Sequence, residues 1–354
     1  MSENDVPHAG YRGGTIENSP QRKEICACLI EARARRCGMS ERQAAATTGA
    51  EHLSGGKIPG RQGPSYNLFR CGEPSIPILI AAPHCGRAYS DDVLAALRDP
   101  DQARLRLEDR HIDAVAQPVA SATGASLLLA EAPRAMIDLN RSVEDVDWGM
   151  VRGAKPRPMR HSLANRRSRN GLGLVPRRIP GMGEIWRRSL AKAELDAWIE
   201  GIYTPYHTAL GHELERLRDR WGVALLVDLH SMPPLKRSHP QDHPAEFVIG
   251  DRFGASCDPG LVDLAIRYLA THGRRVAHNR PYSGGYVLDR YGQTARGIHA
   301  VQIEVCRSTY LDARLDQPSA RVGAIAKLIG GLVRTLGAEV ATMGRPGHMA
   351  QAAE

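Results

Sequence analysis

Polar residues that could take part in catalysis stand at the end of an apolar run between Val223 and Pro233. The run is VALLVDLHSMP, and its aliphatic residues predict a buried strand that ends in Asp-Leu-His-Ser. Asp228 and His230 are two residues apart, so they project to the same face of an extended strand. Ligands of open α/β sheets bind at the carboxyl ends of the strands. The pattern therefore predicts an imidazole beside a carboxylate at a ligand-binding edge.

Two further apolar runs bring polar residues that could join this histidine. PILIAAP predicts a buried strand that His84 follows directly, and HAVQIEVCR predicts another with Glu304 inside it. A buried carboxylate is costly unless it is paired or functional. Two histidines and a carboxylate with an open fourth position are typical of a catalytic zinc site, which also needs a general base. A single histidine at a strand end is more often structural, but together these motifs indicate His84 and His230 as metal ligands and Glu304 as the base, if the strand ends meet.

Two arginines flank the next predicted strand, AMIDLN, which follows the predicted strand SLLLAE. Arg134 precedes AMIDLN and Arg141 follows it. The planar guanidinium can bind a carboxylate through two parallel hydrogen bonds, which suits an anionic substrate. Surface charges would explain the same residues, but their place at strand ends favours a role in a pocket.

A third metal ligand could come from a predicted helix over Ala103 to Ala120. Asp109 and Asp113 lie four residues apart there, so they share a helix face, where like charges repel and a cation would relieve the repulsion. On spacing alone, a solvated helix face is the better explanation.

The elements that must position these residues alternate between strands and helices along the chain. Such an order predicts an α/β sandwich with a mixed, largely parallel sheet. Further strands are predicted over residues 246–250 and 274–278, and helices over residues 90–97, 188–221 (interrupted near Pro205), 259–271 and 315–341.

Two segments rich in glycine are predicted to be irregular and to lie near the site. NRPYSGGY, residues 279–286, is a loop that could place Tyr286 over a pocket. Residues 152–188 carry eleven Lys or Arg and a single acid, with too much Gly and Pro for a regular element. We expect this basic segment to form an irregular excursion or a lid.

Composition restricts the class of protein. The chain has 354 residues, 42% of them hydrophobic, with a formal charge of +8, which suits an anionic substrate or a polyanion. Seven scattered cysteines favour reduced thiols and a cytoplasmic setting; Cys26, Cys28 and Cys37 lack the paired spacing of a zinc knuckle. No apolar run reaches membrane-spanning length. We expect a leader without fixed structure over residues 1–58, one domain over 59–345 and a flexible tail over 346–354.

Motifs of several other protein classes are missing from the sequence. It contains no G-x-S-x-G, no G-x-G-x-x-G after a strand and no G-x-x-x-x-G-K-[ST], which disfavours serine hydrolases of that type and nucleotide binding. The basic charge keeps nucleic-acid binding open only as a weak alternative, because no motif for it is present.

Eight short motifs, in order and spacing, resemble the N-formylglutamate amidohydrolase family between about Pro59 and about Leu336. They are APHCGRAY, EDRHIDAV, APRAMIDLNR, YTPYH, VDLHSMP, FVIGDRFGASCDP, NRPYSGGY and VQIEVCRSTYLD. The resemblance implies a phosphorylase/hydrolase-like three-layer α/β sandwich, shared with metallocarboxypeptidases. It also implies one zinc ion and the release of formate and glutamate from N-formyl-L-glutamate in histidine breakdown.

The resemblance also implies roles for individual residues. His84 and His230 match the metal histidines, and Asp109, in DRHID, matches the acidic metal position; Glu108 remains a rival, because Arg87 stands where metallocarboxypeptidases have a third ligand. Glu304 matches the general base. The remaining roles are carbonyl polarisation by Arg134, a grip on the substrate's α-carboxylate by Asn140 and Arg141, and closure over the substrate by Tyr286.

The sequence thus predicts a zinc-dependent amidohydrolase of a small anionic N-acyl amino acid, above all N-formyl-L-glutamate. The alternatives are a deacylase of another N-acyl amino acid and a non-catalytic basic binding protein on the same fold. We expect neither a nucleic-acid nor a membrane partner, and the sequence fixes neither the acyl group nor the oligomeric state.

Overall fold

A central sheet of eight strands organises the part of the chain that the structure describes. The computed structural model describes residues 50–154, 168, 170–237, 239, 241 and 243–344. The strands are β1 Ala50–Gly55, β2 Tyr66–Cys71, β3 Ile78–Ala82, β4 Ser126–Ala130, β5 Val151–Arg152, β6 Arg178–Ile179, β7 Gly183–Glu184, β8 Leu190–Ala191, β9 Ala224–Met232, β10 Phe247–Gly250, β11 Val276–His278 and β12 Ile298–Cys306. The sheet has the order β1-β2-β4-β3-β9-β12-β10-β11, while β5 pairs with β8 and β6 with β7.

The four middle strands of the sheet run in one direction. β4, β3, β9 and β12 are parallel neighbours, whereas β2 is antiparallel to β4 and β10 is antiparallel to β12. The carboxyl ends of the four parallel strands therefore meet along one side of the sheet, the carboxyl edge. This is the side at which open α/β sheets bind ligands.

Helices cover both faces of the sheet. They are α1 Asp91–Ala96, α2 Pro100–Leu107, α3 Ile112–Thr123, α4 Lys192–Trp198, α5 Thr204–Trp221, α6 Pro259–Thr271, α7 Tyr286–Tyr291 and α8 Val322–Met343. Residues of α3, α6 and α8 form the core on one face, and residues of α1, α2, α4, α5 and α7 form the core on the other. The predicted three-layer sandwich with a mixed, largely parallel sheet is thus confirmed.

The two cores follow from the alternation of side chains along each strand. In β3, Leu79 and Ala81 belong to the core under α5, while Ile78 and Ile80 belong to the core under α3 and α8. Every residue of β3 is buried, which explains why the run is continuously apolar. The hydrophobic effect over these two layers fixes the sheet and hence the carboxyl edge.

The predicted helix over Ala103 to Ala120 is wrong in one respect, because the structure breaks it into α2 and α3. His111 lies between them with a left-handed φ of 54°. Asp113 stays on α3 and forms a bidentate ion pair with Arg87, at 2.7 and 2.9 Å. Asp109 lies in the break, so the two acids do not share a helix face, and the charge of Asp113 is paired with Arg87.

The predicted strand over residues 135–140 is also wrong. The segment forms consecutive turns, in which the Met136 N–H donates to the Pro133 carbonyl and the Arg141 N–H to the Asp138 carbonyl. The side chain of Asp138 accepts a further hydrogen bond from the Asn140 N–H, at 2.8 Å. An apolar run cannot by itself distinguish a strand from a buried loop whose polar groups are satisfied in this way.

The remaining predicted segments agree with the structure to different degrees. The predicted helix over residues 188–221 forms α4 and α5, joined near Pro205 by a π-helical turn, Ile199–Tyr203. Residues 50–55 of the predicted leader form β1 in the sheet; residues 1–49 and the tail lie outside the described residues. The basic segment is largely irregular where it is described. No helix among the described residues combines the length and the apolar character needed to cross a membrane.

Candidate metal centre and active site

The carboxyl edge brings the sequence-predicted site residues together on adjacent strands. His84 follows β3, His230 lies near the end of β9, and Glu304 lies opposite His230 on β12 in the parallel register. All three residues are buried. The condition set by the sequence, that the three strand ends meet, is met in the fold.

His84, Asp109 and His230 form a cluster whose nitrogen and oxygen atoms lie within 4.8 Å of one another. The Oδ2 atom of Asp109 is 2.9 Å from Nδ1 of His230 and 3.6 Å from Nδ1 of His84. The same two nitrogens and one oxygen therefore face a common point, as the ligands of a single metal ion would.

A second carboxylate holds each histidine from behind. Nε2 of His84 lies 2.7 Å from Oδ1 of Asp138, and Nε2 of His230 lies 2.9 Å from Oδ2 of Asp228. An ionised carboxylate only accepts hydrogen bonds, so each Nε2 carries the proton and each Nδ1 can present its lone pair inward. Carboxylate–histidine pairs of this kind orient metal-bound imidazoles and raise their basicity.

The charges around the cluster of His84, Asp109 and His230 favour a cation at its centre. Burial alone would raise the pKa of Asp109, yet His230 and His84 hold it well below its usual range. Burial alone would lower the pKa of His230, yet Asp228 and Asp109 raise it well above its usual range. The buried acids therefore stabilise positive charge at the point that the two histidines face.

These residues fit a divalent metal ion. Nδ1 of His84 is buried and has no hydrogen-bond partner among the described residues, although its ring is fixed by Asp138. An orphaned buried nitrogen costs free energy unless something binds it. Two imidazole nitrogens and one carboxylate oxygen are a donor set typical of zinc and its neighbours in the first transition row.

Glu108, the rival ligand, points away from this cluster. Its carboxylate accepts a hydrogen bond from the Tyr89 hydroxyl at 2.8 Å and pairs with Arg110 at 2.8 Å. Asp109, not Glu108, shares the cluster with the two histidines.

Glu304 is placed beside the cluster as a general base would be. Its Oε1 atom accepts a hydrogen bond from Nε2 of Gln302 at 2.8 Å. Burial raises its pKa to about 7, while the neighbouring His230 acts in the opposite direction. A carboxylate with a pKa near neutrality can both accept and return a proton at physiological pH.

Asp138 lies close to Arg134 and Arg141, the two arginines with predicted roles in the site. Nε and Nη2 of Arg134 each lie 2.9 Å from Oδ2 of Asp138, and Nη2 of Arg141 lies 3.9 Å from the same atom. Arg141 also donates to the carbonyls of Leu172 and Asn140, at 3.0 and 2.6 Å. Asp138 thus connects both arginines to His84, although they flank a turn and not a strand.

The side chain of Asn140 joins the cluster to the start of α7, where Tyr286 is the first residue. Nδ2 of Asn140 is 3.4 Å from Nε2 of His230, and its Oδ1 accepts from the Val287 N–H at 2.9 Å. The ring of Tyr286 packs edge-on against His207, with 6.1 Å between ring centroids. The structure brings Asn140 into the site, whereas Tyr286 contacts His207 and Arg290, which are not part of the cluster.

Three residues around the site were not predicted from the sequence. Asp138 was read as part of a strand, and Arg307 received no role, although it lies 3.5 Å from Asp109. Tyr282, in the NRPYSGGY loop, packs against Met232 and Cys306 at the strand ends. An acid two residues before Asn140 was the one signal available for Asp138; the others depend on contacts between distant segments.

Comparison with known proteins identifies a family and several relatives of this chain. A family model described as N-formylglutamate amidohydrolase matches residues 76–311. The N-formylglutamate deformylase of Pseudomonas putida is 34% identical over 67% of this chain and 82% of its own length, and that of Pseudomonas aeruginosa is 31% identical over 76% and 94%. The crystal structure of an N-formylglutamate amidohydrolase from Ralstonia eutropha JMP134 is similar with a TM-score of 0.70, at 32% identity over 78% of this chain and 99% of that one.

Proposed function

The chain belongs to the N-formylglutamate amidohydrolase family and is therefore an amide hydrolase, and from this premise we propose that it is a zinc enzyme that hydrolyses N-formyl-L-glutamate to formate and L-glutamate. The observation that carries the proposal is the buried cluster of His84, Asp109 and His230 beside Glu304. The alternative of a non-catalytic basic binding protein is set aside, because the relatives named above are hydrolases.

The proposed metal ligands are His84, Asp109 and His230. A zinc ion held there would supply Lewis acidity, which lowers the pKa of water and polarises the formyl carbonyl. Asp138 and Asp228 support this assignment, since they fix both imidazoles with Nδ1 toward the cluster.

Glu304 is the proposed general base. It takes a proton from the attacking water and delivers it to the glutamate nitrogen as the C–N bond breaks, so the products are formate and the free amine. The pKa of Glu304, raised to about 7 by burial, supports both halves of this transfer at neutral pH.

The arginines and Asn140 are proposed to bind substrate. Arg134 donates to the oxygen of the formyl carbonyl as it gains negative charge, and Arg141 and Asn140 hold the α-carboxylate. Their common contact with Asp138 or His230 supports this division of roles, because it sets all three donors around the same cluster. Tyr286 is proposed to close over the substrate from the start of α7.

A small anionic substrate suits the formal charge of +8 of the whole chain. We place the enzyme in the cytoplasm, where the thiols of Cys85, Cys257 and Cys306, which are buried in the structure, would stay reduced. Its proposed place in metabolism is histidine breakdown.

A comparison of substrates tests the proposal. Zinc-loaded protein is offered N-formyl-L-glutamate, N-formyl-L-aspartate, N-formyl-L-alanine and N-acetyl-L-glutamate, and the rate of amine release is measured for each. We expect the highest kcat/KM for N-formyl-L-glutamate. A higher value for the acetyl compound would identify a deacylase of another N-acyl amino acid, and no release from any substrate would refute the proposed activity.

A further inference from the structure

Arg307 is a buried arginine directly after β12 that bonds to two other segments of the chain. Its side chain is 8% exposed. Nε donates to the Ser231 hydroxyl on β9 at 3.1 Å, Nη1 to the Leu105 carbonyl at 2.8 Å and Nη2 to the Glu108 carbonyl at 2.5 Å. The guanidinium therefore ties β9 and β12 to the break between α2 and α3.

The carbonyls that Arg307 binds belong to the end of α2, where a helix leaves its last carbonyl groups without intrahelical partners. Tyr310, three residues further along, donates in the same way to the Arg110 carbonyl at 2.7 Å. The break that presents Asp109 is thus stabilised from outside, by side chains that follow β12.

Arg307 also reaches the side chain of Asp109. Nη2 lies 3.5 Å from Oδ1 of Asp109, and the Ser231 hydroxyl donates to the same oxygen at 3.4 Å. Oδ2, the other oxygen, faces His84 and His230. Arg307 and Ser231 therefore hold Oδ1 of Asp109, while Oδ2 is directed at the two histidines.

The shape of the guanidinium matters for this arrangement. One planar group with donors on three nitrogens serves Ser231, two carbonyls and the edge of Asp109 at once. A lysine ammonium would keep the charge but could not direct donors to these points along the same plane.

We propose that Arg307 is a positioning residue for the metal centre, which fixes Asp109 in the conformation that binds the metal and so sets the affinity for zinc. This inference rests on the metal site of the proposed function and adds to it a residue that acts through Ser231 and Asp109. Outer residues that orient metal ligands typically change affinity by roughly 10- to 100-fold.

The test compares Arg307→Lys with the wild type and with a matched control, Arg321→Lys. Arg321 also donates to backbone carbonyls after β12, those of Ser308, Thr309 and Leu311, but among the described residues no contact joins it to His84, Asp109 or His230. Zinc affinity is measured by competition with a chromophoric chelator, the absorption spectrum of the cobalt(II) form reports the ligand geometry, and urea unfolding of the metal-free proteins reports stability.

We expect Arg307→Lys to bind zinc at least tenfold more weakly and to change the cobalt spectrum, and Arg321→Lys to match the wild type in both. Equal zinc affinity of Arg307→Lys and wild type would overturn the inference and leave the proposed function intact, whereas a wild type that binds no zinc would remove the metal site itself. If Arg307→Lys does not fold, Ser231→Ala decides, since it removes the hydroxyl between Arg307 and Asp109. Several-fold weaker zinc binding supports the inference, and unchanged binding overturns it.

Discussion

Glu304 shows how a single burial pattern in the sequence can indicate a catalytic group. A carboxylate in the middle of VQIEVC is costly to bury, so it requires either a partner or a function. In the structure, Glu304 accepts a hydrogen bond from the amide of Gln302 and lies opposite His230 of the candidate metal site. Its role as the base remains a prediction, which a substitution can test.

Glu304→Gln should keep the fold and the zinc ion but lose on the order of a hundredfold or more in turnover, because a neutral amide cannot accept the proton from water. Gln302 can still donate to the amide oxygen of the new side chain, so stability should change little. Melting temperature, zinc content and kcat are measured on one preparation. A lower melting temperature with kcat per folded molecule nearly unchanged would mean that Glu304 is structural.

At the residue scale, the sequence identified the groups that stand at the ends of strands. The structure places His84, His230 and Glu304 together at the carboxyl edge, because parallel strands must end on the same side. The role of Asp138 could not be predicted from the sequence, since it comes from contacts with His84 and Arg134 that exist only in the fold. The sequence also could not choose between Glu108 and Asp109, because a helix break, and not a helix face, directs Asp109.

At the element scale, α7 begins so close to Asn140 that no side chain fits between them. An alanine Cβ at Gly285 would lie 2.4 Å from Oδ1 of Asn140, well inside van der Waals contact. The backbone at Gly285 is extended, with φ −121°, so an alanine would not be strained there for any other reason. Gly285 is thus required by the close approach of α7 to Asn140.

Gly285→Ala should displace Asn140 or α7 and raise KM for N-formyl-L-glutamate by roughly 10- to 100-fold, the scale of a lost hydrogen bond to a charged group. The matched control is Gly323→Ala at the start of α8, where a Cβ meets nothing within 4 Å. Steady-state kinetics on both variants checks the prediction. An unchanged KM in Gly285→Ala would show that Asn140 does not hold the substrate.

The elements that the sequence predicted correctly are those whose pattern is local. Ser90 caps α1 as expected, and α6 begins at Pro259 and ends at Thr271, as its apolar stripe and its opening proline indicate. The break between α2 and α3 and the turns around Asp138 depend on Arg307, Tyr310 and His84, which are distant in sequence. Local periodicity carries no information about such contacts.

At the scale of the whole molecule, the buried His207 of α5 makes the free energy of unfolding depend on pH. It is buried in the YTPYH motif, and its Nδ1 lies 3.0 Å from the Tyr291 hydroxyl. Because that hydroxyl donates to the His207 carbonyl, Nδ1 is the donor to the hydroxyl oxygen. Burial lowers the pKa of His207 to about 3.

A lowered histidine pKa makes the folded state resist protonation. The stability that depends on neutral His207 is fully present above the ordinary pKa of about 6.5 and is lost as the pH falls toward 3, by up to about 1.4 kcal/mol per pH unit. His207→Asn, which can keep the bond to Tyr291, should therefore lose less free energy of unfolding between pH 7.5 and 5 than the wild type. Urea unfolding at both pH values measures this difference. Parallel losses in the two proteins would contradict the prediction, since their other titrating groups are shared.

The fold class could be read from the alternation of strands and helices, and the family from motifs in register along the chain. The described structure agrees with both, because the two hydrophobic cores need the strand and helix faces that the sequence supplies. The identity of the metal and the choice of substrate cannot follow from the pattern of apolar residues. They depend on a few atoms at the carboxyl edge.

The most direct test of the whole account is a titration of metal-free protein with zinc(II), with formate release from N-formyl-L-glutamate as the readout. Because His84, Asp109 and His230 form one cluster, activity should be absent after chelation, rise in proportion to added zinc and level off at about one equivalent per chain. Asp109→Asn should shift or abolish this rise. Full formate release by chelated protein in which elemental analysis finds no divalent metal would contradict the account.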